Sequence, residues 1–253
     1  WAALRHKPNA EKKVAIVFHN YPATNANIGS AAGLDSPESV LSLLRAMRTA
    51  GYVMEEIPES SKAFMKLLTD HATNDRRFMT TEQAKSADGQ LTAAQYGAFF
   101  TELPEQVRTQ LERDWGDAPG DVFNYDGTLL IPGTLNGNLF ITVQPPRGFG
   151  EDPGKLLHSP DAAPTHHYIG YYHWLRDIWQ ADAVIHVGTH GSLEWLPGKS
   201  TALSNRCWPD VSLGDLPDIY PYWITIVGEG IQAKRRGAAC LISHLSPPME
   251  LAG

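Results

Sequence analysis

The sequence predicts an α/β protein: a mixed, largely parallel sheet flanked by helices, with a β-hairpin insertion. Three observations lead there. Short apolar, β-branched runs at Val14–Phe18 and Ala183–Val187 have the length and composition of buried strands. Amphipathic helical stretches alternate with such runs along the chain, the pattern of parallel sheets. Asn136-Gly137 lies between the apolar runs Leu129–Ile131 and Leu139–Val143, a strong hairpin signal.

The elements follow in order. Val14–Phe18 enters a polar loop, His19 to Gly29. Ser36 then caps a helix with Pro37 at its first turn, and Val40, Leu41, Leu43, Leu44 and Met47 share one helical face. Gly51 ends that helix, and Tyr52 to Ile57 reads as a second strand, so a βαβ-like unit opens the chain. Residues 60–117 read as amphipathic helices on Phe64, Leu67, Leu68, Tyr96, Phe99, Phe100, Val107, Leu111 and Trp115. After the hairpin, Gln144 to His158 forms a long Gly- and Pro-rich loop, of a length that often carries function. A helix over 168–180 feeds the strand Ala183–Val187. Residues 224–227 read as a strand, 228–236 as a helix closed by Gly237, and 238–242 as a last strand. Two lobes are expected: 1–118, α/β with a helical segment, and 119–253, α/β with the segment from His190 to Glu194.

Composition narrows the function. At 253 residues, 42% hydrophobic and 19% charged, the chain can bury a good core. A net charge of −7 argues against nucleic acid as main partner, because phosphate binding wants a basic field. No apolar run approaches the roughly 20 residues of a membrane span, and residues 1–7 lack the apolar stretch of a signal peptide. Trp1, without a methionine, suggests a piece of a longer protein. Cys207 and Cys240 form no CxxC pair, consistent with a reducing, cytoplasmic setting.

Chemistry concentrates between Ala183 and Lys199. His186, His190 and Glu194 recur every four residues, which on a helix would build one face of a metal site. Gly188 and Gly191 interrupt a helix, so His186 is expected near a strand end, His190 in the turn, and Ser192 capping a helix with Glu194 on it. The amides of Gly191 and Ser192 would then face an anion. His186 as a core histidine is the competing reading. Of His166 and His167, adjacent in sequence, at most one is expected to face a ligand. His19, Asn20, Tyr21, Asn25 and Asn27 follow a strand, where α/β sheets bind ligands. Lys234-Arg235-Arg236 either meets substrate carboxylates or favours a helix end through the macrodipole. The glycines spell no P-loop, so ATP binding is not expected here.

Three segments together resemble one family. They are Asn138–Gly148 with Glu151-Asp152-Pro153, His186–Lys199, and Ala233–Arg236 with Ser246-Pro247-Pro248. Val17–Pro22 with Asn27-Ile28-Gly29 adds a fourth block. The chain is similar to the large subunit of the ATP-dependent metal chelatases, the CobN and magnesium chelatase H-subunit family, over nearly its whole length. His19 and Pro22 look closer to the cobalt branch. The resemblance implies insertion of a divalent metal, Co2+ with Mg2+ as the alternative, into a tetrapyrrole bound by this subunit. It also implies AAA+ partner subunits that hydrolyse ATP. Pyrrole N–H protons must leave as the metal enters, and a carboxylate beside a histidine suits that step. Glu194 and His190 are then expected as catalytic groups, and His186, His190, Glu194 and His167 as metal-site residues. Gln144, Arg147 and Arg235 would orient the ring or its carboxylates, and Tyr171, Tyr172 or Trp195 would stack on it. Two rival readings are a zinc hydrolase built on His186, His190 and Glu194, and a non-catalytic tetrapyrrole carrier.

Overall fold

A computed structural model describes residues 1–253 except 22, 32, 72, 76–79, 81–86, 149–160, 190, 223–226 and 244–253. Its strands are β1 (Val14–Phe18), β2 (Gly89–Thr92), β3 (Asn124–Tyr125), β4 (Thr128–Ile131), β5 (Gly133–Asn136), β6 (Leu139–Val143), β7 (Ala183–Val187), β8 (Asp218–Tyr222) and β9 (Cys240–Ser243). The main sheet runs β5-β6-β1-β7-β8-β9, and every pair is parallel except β5 with β6. A small antiparallel sheet, β2-β4-β3, stands apart from it. The α/β class expected from the sequence is the one observed.

β1 is buried along its whole length because helices cover both faces of the sheet. Its residues alternate accordingly. Val14, Ile16 and Phe18 join Val40, Leu41 and Leu44 of α2 (Ser36–Thr49; the short α1, Ala2–His6, precedes β1) and Phe64 and Leu68 of α3 (Ser61–His71). Ala15 and Val17 face the opposite core, with Phe140, Val184, Tyr171, Tyr172 and Trp208. That second core also holds Tyr96 and Phe100 of α4 (Ala93–Glu102) and Val107 and Leu111 of α5 (Glu105–Trp115). α6 (His166–His173) crosses this layer and continues as a π-helical turn, Trp174–Ile178. α7 (Trp208–Leu213) and α8 (Val227–Arg236) flank the later strands.

Several elements differ from expectation, each for a physical reason. Residues 52–57 form no strand. They run beside the β5–β6 turn, where Asn138 N–H donates to the Val53 carbonyl (3.0 Å) and Glu55 N–H to Asn136 Oδ1 (2.6 Å). The parallel neighbours of β1 are therefore β6 and β7, so no βαβ unit opens the chain. The Asn136-Gly137 hairpin forms, but between β5 and β6, while Leu129–Ile131 belongs to the small sheet. The helix cap is Asp35, which accepts from Glu38 N–H (3.0 Å), and Ser36 is the first helical residue. β2 interrupts the stretch read as helical. β8 lies at Asp218–Tyr222, and Val227 already opens α8; residues 224–226 lie outside the described residues. The main sheet takes β1 from residues 14–18 and its other strands from 133–243.

Candidate functional site

β6, β1, β7 and β8 run parallel, so their carboxyl ends share one edge of the sheet, where α/β folds place ligands. The segments leaving that edge carry His19 and Asn20 after β1, Gln144 and Arg147 after β6, and Gly188 to Trp195 after β7. Asn20 Nδ2 donates to Asn74 Oδ1 (2.5 Å), and Asn74 Nδ2 donates to the Gln144 carbonyl (2.6 Å). The first two segments are tied together in this way.

Glu194 lies in a single 3-10 turn, Leu193–Trp195, and is only 3% exposed. Its Oε1 accepts from Gly191 N–H and from the Tyr220 hydroxyl, each at 3.0 Å. The Gly191 amide also meets the Tyr220 hydroxyl. The expected anion pocket therefore differs in its occupant: the Gly191 amide receives the chain's own carboxylate. Ser192 precedes the turn without a side-chain capping bond, and its Oγ shares a hydrogen bond with Tyr168 Oη (2.9 Å).

His186 sits inside β7, 4% exposed, between two partners. Nδ1 donates to Asp218 Oδ1 (2.8 Å), which leaves Nε2 to accept from the Tyr172 hydroxyl (3.0 Å). Burial pulls its pKa down, but the Asp218 carboxylate and then the Glu194 charge outweigh this, and the net value is raised. Burial, followed by the nearby Glu194 and Asp218 charges, pushes the Tyr220 hydroxyl well above its usual range, so it stays a neutral donor. The result is a polar cluster of Glu194, Tyr220, His186, Asp218, Tyr172 and Tyr168 under the sheet edge.

The remaining expected residues fall in different places. His190 lies outside the described residues. His167 is fully buried beside Phe123, and its Nε2–H donates to the Leu130 carbonyl (2.7 Å). His166 bridges the Tyr96 hydroxyl and the Gly116 carbonyl. Tyr171 is also fully buried, its hydroxyl on Thr142 Oγ1 (3.2 Å). Gln144 and Arg147 are buried at the edge, and desolvation lowers the Arg147 pKa. Trp195 is 43% exposed and offers a face to solvent. Arg235 is exposed on α8, whereas Arg236 donates to the carbonyls of Leu196, Gly198 and Lys199 and so braces the loop after Glu194. Among the described residues no group of three or more His, Cys, Asp or Glu is placed to hold a metal ion. Both ring nitrogens of His186 are already engaged.

Sequence reasoning missed Asp218, Tyr220, Tyr168 and Asn74. Spacing held a signal for two pairs: Asp218 and Tyr220 alternate on one face of a strand, and Tyr168 and Tyr172 lie one turn apart on a helix.

A largely parallel α/β sheet with a buried carboxylate, a histidine and several tyrosines at its carboxyl edge defines an α/β protein with a candidate site at that edge. Comparison with known proteins makes this specific. The family model described as CobN/Magnesium Chelatase matches residues 1–253, and the chain belongs to that family. It is 43% identical over 249 residues to the aerobic cobaltochelatase subunit CobN of Pseudomonas aeruginosa, covering 98% of this chain and 20% of that protein. It is 38% identical over 254 residues to the chloroplastic magnesium-chelatase subunit ChlH of Oryza sativa subsp. indica, covering 100% of this chain and 18% of that protein. The solved catalytic subunit of cobaltochelatase from Mycobacterium tuberculosis superposes with a TM-score of 0.84 at 40% identity, over 98% of this chain and 21% of that one. The chain thus spans about a fifth of the length of the relatives it matches. No helix among the described residues is long and apolar enough to cross a membrane.

Proposed function

We propose that this chain is the reaction-bearing part of a chelatase large subunit that inserts Co2+ into a corrin-type tetrapyrrole in the cytoplasm. ATP is hydrolysed by separate AAA+ partners. The observation that carries this reading is the placement of Glu194. Its carboxylate is almost wholly buried, with one oxygen clamped by two donors, at the sheet edge where the segments after β1, β6 and β7 meet. A carboxylate fixed in this way is suited to accept a proton from a ring N–H as the metal enters, and to hold the incoming ion with hard oxygen. The two donors mean that it spends no energy reorganising at that moment. Trp195, next in sequence and exposed, supplies an aromatic face for the macrocycle.

Support for cobalt comes from the 43% identity to the Pseudomonas aeruginosa CobN, while the Sinorhizobium CobN and the rice ChlH are each 38% identical. A zinc hydrolase is disfavoured because His186 spends both ring nitrogens on Asp218 and Tyr172.

Ring binding is tested by quenching of the seven tryptophans during titration with a metal-free corrin and a metal-free porphyrin. The proposal expects saturable quenching by both, tighter for the corrin. Tighter porphyrin binding would move the reading to the magnesium branch, and no binding of either would refute a ring site on this chain.

A further inference from the structure

Gln144 is held by its backbone and left wanting at its side chain. Its N–H donates to the Phe18 carbonyl (2.8 Å), and its carbonyl accepts from Asn74 (2.6 Å). The side chain is nevertheless buried, at 2% exposure, and Nε2 has no hydrogen-bond partner among the described residues. Buried amide donors are almost always satisfied, so an orphan at a ligand edge points to a ligand.

Gly191 shows what lies beside this donor. A Cβ built there would come within 3.0 Å of Glu194 Oε2 and 3.2 Å of Gln144 Nε2. The two atoms therefore flank the same glycine, one an acceptor and one a donor. Oε1 is occupied by Gly191 N–H and Tyr220, which fixes the carboxylate with Oε2 towards this side.

We infer that Gln144 and Glu194 form a donor–acceptor pair that reads the inner nitrogens of a metal-free tetrapyrrole and rejects the metalated ring, an inference that rests on the ring-binding reading above. A free macrocycle carries N–H nitrogens beside nitrogens with an open lone pair. Glu194 accepts from the first kind and Gln144 donates to the second, so the pair fixes the tautomer with an N–H over the proton acceptor. Once the metal is in, the N–H protons have left and every nitrogen lone pair points at the ion. Gln144 Nε2 then loses its partner in a buried site, and Glu194 loses the N–H it accepts from, which weakens product binding relative to substrate. Gln144 thereby acts as a specificity-determining residue and favours product release.

The test compares a metal-free porphyrin with its palladium(II) complex, whose square-planar ion takes no axial ligand, in fluorescence titrations of the intact chain. The wild type is expected to bind the free ring at least about 10-fold tighter than the complex. Gln144→Leu and Gln144→Met should each bring that ratio to within about threefold of unity, mainly by weakening the free ring. Equal wild-type affinities for the two rings, or a ratio unchanged in both variants, would overturn the inference while leaving ring binding intact. Failure to bind either ring would overturn the underlying reading instead.

Discussion

His167 and His186 show how neighbours decide what burial does to an imidazole. Burial pulls the pKa of His167 to about 4, opposed only by its hydrogen bond to the Leu130 carbonyl. His186 feels the same burial but faces the Asp218 carboxylate, and its pKa rises. The two give opposite pH dependences. His167 has a folded pKa below its ordinary 6.5, so its contribution is intact above that value and lost as pH falls through about 4. Full protonation would cost about 3 kcal/mol, taking roughly 1.4 kcal/mol for each unit of the shift. His186, with a raised folded pKa, contributes fully below about 6.5 and loses that contribution as pH rises through its folded value. Urea unfolding of wild type and His167→Leu at about pH 7 and about pH 4.5 checks the first claim. The wild type should lose more stability on acidification than the variant, and parallel losses would contradict the assignment. None of this was legible in sequence. His166 and His167 were recognised as a pair, but their acceptors, Gly116 and Leu130, are distant in the chain.

Strands were legible where burial on both faces forced a continuous apolar run, as in Val14–Phe18 and Ala183–Val187. They were not where the pattern breaks: Asp218–Tyr222 carries Pro221 and two tyrosines, yet pairs with β7 and β9. Residues 52–57 misled in the opposite direction. Tyr52, Met54 and Ile57 pack on the core, but the backbone bonds of the stretch go to the hairpin turn. Junctions between elements also hide in sequence. Gly188 ends β7 at φ +142°, a conformation that disfavours side chains, and a Cβ there would fall 2.3 Å from His19 Cβ. Both problems act together in Gly188→Ala, which should destabilise the fold by about 2–4 kcal/mol. Thermal unfolding measures this, and a midpoint like that of the wild type would show that the β1 and β7 ends are not in such close contact.

At the scale of the whole molecule, the sheet edge gathers groups from segments far apart in the chain. Asn20, Asn74, Gln144, Glu194 and Tyr220 come from five separate stretches; parallel strand order brings together all but Asn74, which follows α3 and is tied in by its hydrogen bonds to Asn20 and the Gln144 carbonyl. Sequence pointed to Glu194 by its spacing from His186 and His190, and to Gln144 through the family resemblance. It was silent on Tyr220 and Asn74, because their importance is a matter of contact and not of local pattern. The relatives are about five times longer than this chain, so chemistry at this edge is best measured in the full subunit. The decisive measurement is Co2+ insertion by this chain within a chelatase large subunit, reconstituted with the ATPase partners that the proposal implies, comparing wild type with Glu194→Gln while ring affinity is followed separately. If Glu194 is the proton acceptor, insertion at saturating ring falls by at least about 100-fold, well beyond the loss of ring affinity that the same substitution causes. Insertion within about threefold of wild type would contradict a central role for that carboxylate.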